Sequence, residues 1–369
     1  MKILITYWGR KGGGTQYTYE LTKEFVTQFG DEIYTSFSKN SENFDQAKLL
    51  TEQSFHIFTF DTFFGFLLNS LFLPIKLFLF YIFLKKNNID MVYTTMGHVW
   101  TPFLSIMLKY AKIKHIFTVH DATTHPGDQT IPFWLNAMIY RNTFKFVFLS
   151  KYVSEKFIER FSIDRQNIIL TQSGILDYNC QVSTFQRYTE AQPFRLIFFG
   201  RILKYKGLEH LLKVQIKLEK IYNDIFLEIY GNGNIAQYSL DIKKIRNIKL
   251  ENRWIHENEI CKIFNKPCIN IMPYIEASQS GVIPVALSCA IPSIATNLGG
   301  ISEQIENNIH GLLLDSENIE TDLFDKIQYL YNNRSICNKF SQNCFQLSQT
   351  KLSWKYIVKK LYQDLKISL

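Results

Sequence analysis

No Cys-x-x-Cys pair occurs among the 369 residues, which hold only six cysteines. Cys261 and Cys268 stand too far apart for a zinc knuckle, so a zinc module or a dithiol redox motif is excluded. Cys180, Cys261, Cys268, Cys289, Cys337 and Cys344 are expected to be buried thiols in a reducing, cytoplasmic compartment. No Gly-Lys-Ser/Thr follows a glycine-rich loop, and no true Gly-x-Gly-x-x-Gly is present, which removes a P-loop and the standard dinucleotide fingerprint. A Gly-x-Ser-x-Gly elbow is also missing, and nothing marks a Cys/His nucleophile pair. No repeat of short fixed period runs through the chain. No uncharged apolar run reaches the ~18–20 residues that a spanning helix requires. The first residues, Met1 to Thr6, already read as a strand, with the expectation that no secretory signal precedes the fold.

What is present is a globular composition, with 46% hydrophobic and 20% charged residues. That is too apolar for disorder. The length exceeds one ordinary core and fits two α/β domains of similar size. A formal charge of +8 suits anionic partners such as nucleotides, nucleic acid or an acidic membrane surface, and a solvated lysine-rich surface accounts for it equally. Phe55–Leu84 is dense in Phe, Leu and Ile, interrupted by Asp61, Asn69, Pro74 and Lys76. A pair of buried helices fits this run, and so does a surface lying on a bilayer. Lys85 and Lys86 just beyond it would sit well at anionic head groups, which favours membrane contact through residues 55–86.

Short apolar runs alternate with helix-length segments. Ile3–Tyr7, Glu32–Thr35, Met91–Thr95, Ile116–His120 and Phe146–Leu149 read as strands, with a helix over Thr15–Phe29. This alternation predicts a parallel, doubly wound sheet whose ligands sit at the carboxyl ends of its strands. Turn formers around Gly174–Pro193 mark a linker. A second series then begins at Phe194–Gly200 and continues through Leu227–Tyr230, Ile269–Met272 and Ser293–Ala295. The domains are placed at 1–178 and 190–350, followed by a C-terminal helix over 351–369 that packs back on the first domain.

Four places carry chemistry. Gly12-Gly13-Gly14 follows the first strand and opens a helix, so the backbone there could approach a ligand closely; a tight structural turn explains it as well. Gly200-Arg201 and Lys206-Gly207 bracket a strand-to-helix crossing, where Arg201 could fork a diphosphate and Lys206 act as a point charge. In the stretch Glu276-Ala-Ser-Gln-Ser-Gly281, the amides of Ser280, Gly281 and Val282 would face a phosphate. Ser278 or Ser280 would cap the helix over Val282–Ala290, and Glu276 and Gln279 stand beside them. His120-Asp121 ends a strand with His125 shortly after. The spacing does not suit a metal, and His120 reads either as a hydrogen-bonding partner of a substrate or as a core histidine.

Taken in order, GGGTQYTYEL, HDATTHPGD, FFGRILKYKG, EIYGNGN and PYIEASQSGVIPVALSCAIPSIATNLGGISEQI resemble the family-4 retaining glycosyltransferases. The resemblance implies two Rossmann-like domains facing across a cleft, the GT-B architecture, and no metal or cofactor. The donor would be a nucleotide-diphosphate sugar, UDP-linked, held mainly by the second domain. Arg201 and Lys206 would neutralise the leaving diphosphate. The Ser280–Val282 amides would hold the distal phosphate, as would Gly13 and Gly14; His120 would contact the transferred sugar and Glu276 its hydroxyls. The expected activity is transfer of a hexose to a surface glycan of the lipopolysaccharide, capsule or exopolysaccharide kind, carried on a lipid at the inner face of the cytoplasmic membrane, with no nucleic acid involved. A sugar-nucleotide epimerase and a non-catalytic membrane partner subunit are the alternatives. One departure stands out: members commonly have two glutamates separated by seven residues, and counting back from Cys289 puts Ala277 and Val285 there. Glu276 is one residue early and the second acid is absent, a Gln-Ser-Gly variant of the pattern that leaves the ribose contact unassigned.

Overall fold

Near-continuous apolar runs such as Ile3–Tyr7 suit strands covered on both faces, and the computed structural model, which describes residues 1–122, 132–178, 180 and 182–367, places them so. Two units result, one from residues 1–122, 132–174 and 354–367 and the other from 175–353.

The first unit runs β1 (Ile3–Tyr7), α1 (Gly13–Phe29), β2 (Ile33–Phe37), α2 (Phe44–Ala47), α3 (Phe63–Leu71), α4 (Leu73–Lys86), β3 (Met91–Thr94), α5 (Thr101–Ala111), β4 (Lys114–Val119), α6 (Phe133–Asn142), β5 (Lys145–Phe148), α7 (Lys151–Phe161) and β6 (Ile168–Leu170). Its sheet is parallel in the order β2-β1-β3-β4-β5-β6, with Ile3 opposite Ile33 on one side and Met91 on the other. β1, β2 and β3 are wholly buried.

The Phe-rich run divides at Phe72 into α3 and α4, bent by 59°, and among the described residues no single helix is long and apolar enough to cross a membrane. α3 has no buried residue, and α4 buries only Leu73, Phe80 and Leu84. Those three pack with Trp8, Val92, Trp100 and Leu104. A fully buried helix pair is therefore not what forms: Leu77, Tyr81 and Phe83 pack partly against the same cluster, while Phe63, Phe64, Leu67, Leu71, Ile75 and Phe78 stay exposed.

The second unit runs β7 (Phe194–Phe199), α8 (Leu208–Leu218), β8 (Ile225–Gly231), α9 (Ser239–Ile242), β9 (Ile248–Asn252), α10 (Glu257–Phe264), β10 (Ile269–Met272), α11 (Val282–Ser288), β11 (Ser293–Thr296), α12 (Ile301–Gln304), β12 (Gly311–Leu314), α13 (Ile319–Asn332) and α14 (Arg334–Gln349). Its sheet is also parallel, in the order β12-β11-β10-β7-β8-β9. α8 shows why these segments dock: Leu208, Leu211, Leu212, Gln215 and Leu218 recur at helical spacing on its buried face. The last helix, α15 (Trp354–Ile367), belongs to the first unit. It packs on α1, with Tyr362 stacked on Phe29 at 3.7 Å and Trp354 edge-on to Tyr17 at 5.4 Å.

Cys180 and Cys261 form a disulfide, which corrects the expectation of six thiols; Cys268, Cys289, Cys337 and Cys344 are free and buried. The pairing joins residues 81 apart in sequence, so no local spacing announces it. It also removes the cysteine-based ground for a reducing compartment.

Candidate functional site

In the second unit, the carboxyl ends of β7 and β10 are locked together by glycine. Gly207 has φ +65°, and a Cβ on it would stand 1.9 Å from the Pro273 carbonyl oxygen. Only a residue without a side chain lets the turn after β7 lie against the chain leaving β10. The Ile275 amide then donates to the Tyr205 carbonyl at 2.8 Å.

This turn delivers Lys206 inward. Lys206 is 8% exposed, with Nζ 3.0 Å from where a Gly200 Cβ would be and 5.1 Å from the centre of the Tyr274 ring. Among the described residues no carboxylate lies within ion-pair distance of it. The Tyr274 hydroxyl is buried and has no hydrogen-bond partner among the described residues. A buried cation over the ring, with no carboxylate near it among those residues, is an environment that suits an anion. Arg201 is exposed at the same strand end, so of the two cations only Lys206 is held inside.

The loop after β10 places Glu276 at the surface and buries Ser278 and Ser280, with Gln279 between. Two of the three amides expected to serve a phosphate are committed within the protein. Ser280 N–H donates to Gln304 Oε1 at 2.9 Å, and Val282 N–H donates to Ser280 Oγ at 3.2 Å. Ser280 thus caps the start of α11 from one residue outside the Gly281 N-cap. Above Gly281 there is open space, with nothing within 4 Å of a Cβ position. Gln304 holds Ser280 at both ends, its Nε2 donating to the Ser280 carbonyl at 3.0 Å, and the Gly300 amide donates to the Ser278 carbonyl at 2.8 Å. Ala277 and Val285, where the family pattern has its acids, are both buried.

In the first unit, Gly12 takes φ +86° and α1 begins at Gly13. A Cβ on Gly14 would meet Met96 Sδ at 2.5 Å, a contact with the end of a flexible side chain that a shift of Met96 relieves. His120 follows β4. Its Nε2 donates to the Thr95 carbonyl at 2.8 Å, and its ring meets Tyr17 edge-on at 5.4 Å. Because a carbonyl only accepts, the proton sits on Nε2 and Nδ1 is the acceptor. Burial lowers the imidazole pKa, outweighing the Thr95 bond and Asp121, so the ring is neutral near pH 7. The network beneath is hydroxylic: Tyr17 and Tyr93 are held protonated by burial, and Thr18 and Thr95 hydroxyls lie 2.7 Å apart. His125 lies outside the described residues. Among those described, no group of three or more His, Cys, Asp or Glu side chains could hold a metal ion.

A separate cleft of about 820 Å³ lies beyond β12, lined by Asn297, Asp315, Asp322, Asp325 and Lys326 among others. Three carboxylates against one amine make it a poor host for a diphosphate. Sequence reasoning missed Tyr274, Gln304 and Tyr17. Of these, only Tyr274 carried a signal, as the polar end of an apolar strand.

Two parallel doubly wound sheets, with glycines at their strand ends, place the chain in the Rossmann-like α/β class. The chain matches two family models in succession, Glycosyltransferase Family 4 over residues 11–175 and Glycosyl transferases group 1 over residues 193–333. It is a glycosyltransferase of the GT-B type. An uncharacterised glycosyltransferase of Methanocaldococcus jannaschii is 24% identical over 298 residues, 76% of this chain and 77% of that protein. Among solved structures, HepE of Anabaena in complex with UDP and glucose superposes over the whole of both chains with a TM-score of 0.75 at 14% identity. WaaG, a glycosyltransferase involved in lipopolysaccharide biosynthesis, covers 97% of this chain and 98% of its own at 13% identity, with a TM-score of 0.63. At these identities the two structures share the fold alone.

Proposed function

We propose that the protein is a retaining hexosyltransferase that takes its sugar from a UDP-sugar and passes it to a lipid-linked surface glycan at the inner face of the cytoplasmic membrane. The observation that carries this reading is Lys206, a buried ammonium without a carboxylate partner among the described residues. A donor diphosphate is the anion that completes it, with Arg201 reaching from the surface by a bidentate fork. The uridine nucleotide of the HepE complex and the lipopolysaccharide role of WaaG support the donor and acceptor classes.

In this reading the acceptor oxygen bonds to the anomeric carbon as the carbon–phosphate oxygen bond breaks on the same face. The acceptor proton passes to an oxygen of the departing diphosphate, so no protein base is required. Lys206 and Arg201 stabilise the charge that develops there, the term on which most of the acceleration rests, and charge neutralisation by side chains leaves no step for a metal. Within the second unit, Glu276 takes sugar hydroxyls, and Gln279 and the Gly281 amide take phosphate oxygens; His120 as a sugar contact and Gly13 and Gly14 as phosphate contacts are roles that the family resemblance implies.

Calorimetric titration with UDP-, GDP- and ADP-sugars, followed by transfer assays on lipid-linked glycans in the presence of a chelator, tests the proposal. The expected result is UDP-sugar binding and an axial product linkage from an axial donor. Sugar interconversion without any acceptor would instead establish an epimerase.

A further inference from the structure

The largest feature that the catalytic reading leaves unused is the outer surface of α3 and α4. Phe63, Phe64, Leu67, Leu71, Ile75 and Phe78 are each more than half exposed, and the strip continues to Ile82. A nine-residue helix that buries nothing is not a core element, and a contiguous apolar face of this size marks an interaction site. Between residues 62 and 120 the sequence has six lysines and a single acid, Asp90. The Asp90 carboxylate already accepts the Lys2 amide at 2.8 Å. Lys85, Lys86, Lys109 and Lys112 are exposed on α4, α5 and the turn after it, as are Tyr110 and Trp134. α5 packs against both α4 and α6, so these groups belong to one helical layer.

We propose that the α3–α4 hairpin is a wedge that seats in the head-group layer of an anionic lipid bilayer. The wedge lies in the interface and does not span it. Nine and fourteen residues make helices of roughly 13 and 21 Å, too short for a hydrocarbon core of about 30 Å, and the 59° bend breaks their continuity. Lys76, the one cation inside the strip, does not oppose insertion because it is folded back on the protein. Its Nζ donates to the Phe58 carbonyl and to Asn69 Oδ1, both at 2.8 Å, and lies 5.0 Å over the Trp100 ring. Lys85 is tied back to the Ala111 carbonyl at 2.7 Å, while exposed Lys86, Lys109 and Lys112 form a collar for anionic head groups, and exposed Tyr and Trp prefer that same layer. An isologous dimer through this face would bring the same lysines of two copies together, which disfavours a second copy as the occupant.

The wedge is also wired to the strand ends. Trp100 Nε1 donates to Ser70 Oγ of α3 at 3.0 Å. Phe60 stands 5.7 Å from Trp100, and the Arg10 guanidinium after β1 lies 5.3 Å over Phe60. Seating the hairpin therefore sets the position of groups at the mouth of the first sheet. This deepens the proposed acceptor reading and rests on it for its purpose, whereas the test reads lipid binding alone, with no donor or acceptor present.

Flotation of the full chain with vesicles of 70% phosphatidylcholine and 30% phosphatidylglycerol, against pure phosphatidylcholine, decides it. The wild type is expected to float with the anionic vesicles and to be released progressively by salt. F64E/L71E is expected to weaken partitioning at least about tenfold, and K86E/K109E at least about twentyfold, taking about fivefold for each lysine removed. These side chains are exposed, so matching melting temperatures certify the fold of each variant. A wild type that stays at the bottom, an F64E/L71E variant that floats like it, or a solution dimer that F64E/L71E converts to monomer would overturn the proposal.

Discussion

Replacing Lys206 by methionine separates the two roles open to a buried cation. Methionine keeps the aliphatic stem against Tyr274 and removes the charge. In the protein without ligand, the ammonium gains a cation–π contact at 5.1 Å worth ~0.5–2 kcal/mol. Against that stands a desolvation cost of several kcal/mol for an ion with no opposite charge beside it. The balance is unfavourable, so the variant should be the more stable protein, by about 1 kcal/mol, or 2–4 °C in melting temperature. Affinity should move the other way. A charged hydrogen bond to a diphosphate is worth about 2–4 kcal/mol, which corresponds to roughly 30- to 1000-fold in the Kd for UDP. Differential scanning fluorimetry with and without UDP, paired with calorimetric titration, reads both quantities from one preparation. A variant that melts lower than wild type by more than about 2 °C, while UDP binding is intact, would show the ammonium to be structural and remove the main support for a diphosphate at this position.

Acid should weaken the first unit before its carboxylates titrate. His98 and His115 are pushed down to about 3 by burial, so below pH 6.5 the unfolded chain takes up protons that these rings refuse in the fold. Stability is then lost at ~1.4 kcal/mol per pH unit per ring as pH falls from about 6.5 toward 3, and urea melts at pH 7 and pH 5 that coincide would contradict this. The Cys180–Cys261 bridge closes a loop of 81 residues, which the chain-entropy account values at up to about 4.5 kcal/mol; C261S should therefore lower the melting temperature of the second unit, and an unchanged melt would show that the bridge constrains nothing. Gln304→Ala removes both bonds to Ser280, at about 1 kcal/mol each. It should raise KM for the donor several-fold with kcat nearly constant, whereas a loss confined to kcat would place Gln304 in the chemistry instead.

The strands that sequence reasoning overlooked are β6, β9 and β12, and all three lie at sheet edges. β6 has three residues and β9 reads IKLEN with no residue fully buried. As edge strands, β6 and β9 are covered on fewer sides and need no unbroken apolar run; β12 reads Gly-Leu-Leu-Leu and is mostly buried, so its signal was present and too short to stand out. Central strands such as β10, buried throughout, were legible to the residue. The hairpin was legible only as a composition. α3 and α4 are apolar on nearly every side, so their sequence gives the same signal whether protein or lipid surrounds them. The three core anchors of α4 decide the matter, and they depend on Trp8 and Trp100, which arrive from other parts of the chain.

The two acidic positions show where spacing arguments hold and where they fail. Val285 stands one turn before Cys289, joined to it by the Cys289 amide donating to the Val285 carbonyl at 3.3 Å. Along α11 every residue is buried, and the helical period fixes which side chain occupies which face. Counting back from Cys289 is therefore secure to Val285, and the absence of an acid there is a real property of this chain. Val285 is itself buried, so a carboxylate at that site would need its own partner. From Gly281 back to Glu276 the chain is loop, where no period applies and one residue more or less redirects a side chain without removing it. Glu276 is exposed there and Ala277 is buried, so the offset carboxylate still reaches the surface of the loop. In the proposed reading, the missing second acid would change how a ribose is held, while the first acid, offset by one residue in a loop, would keep its access to the ligand.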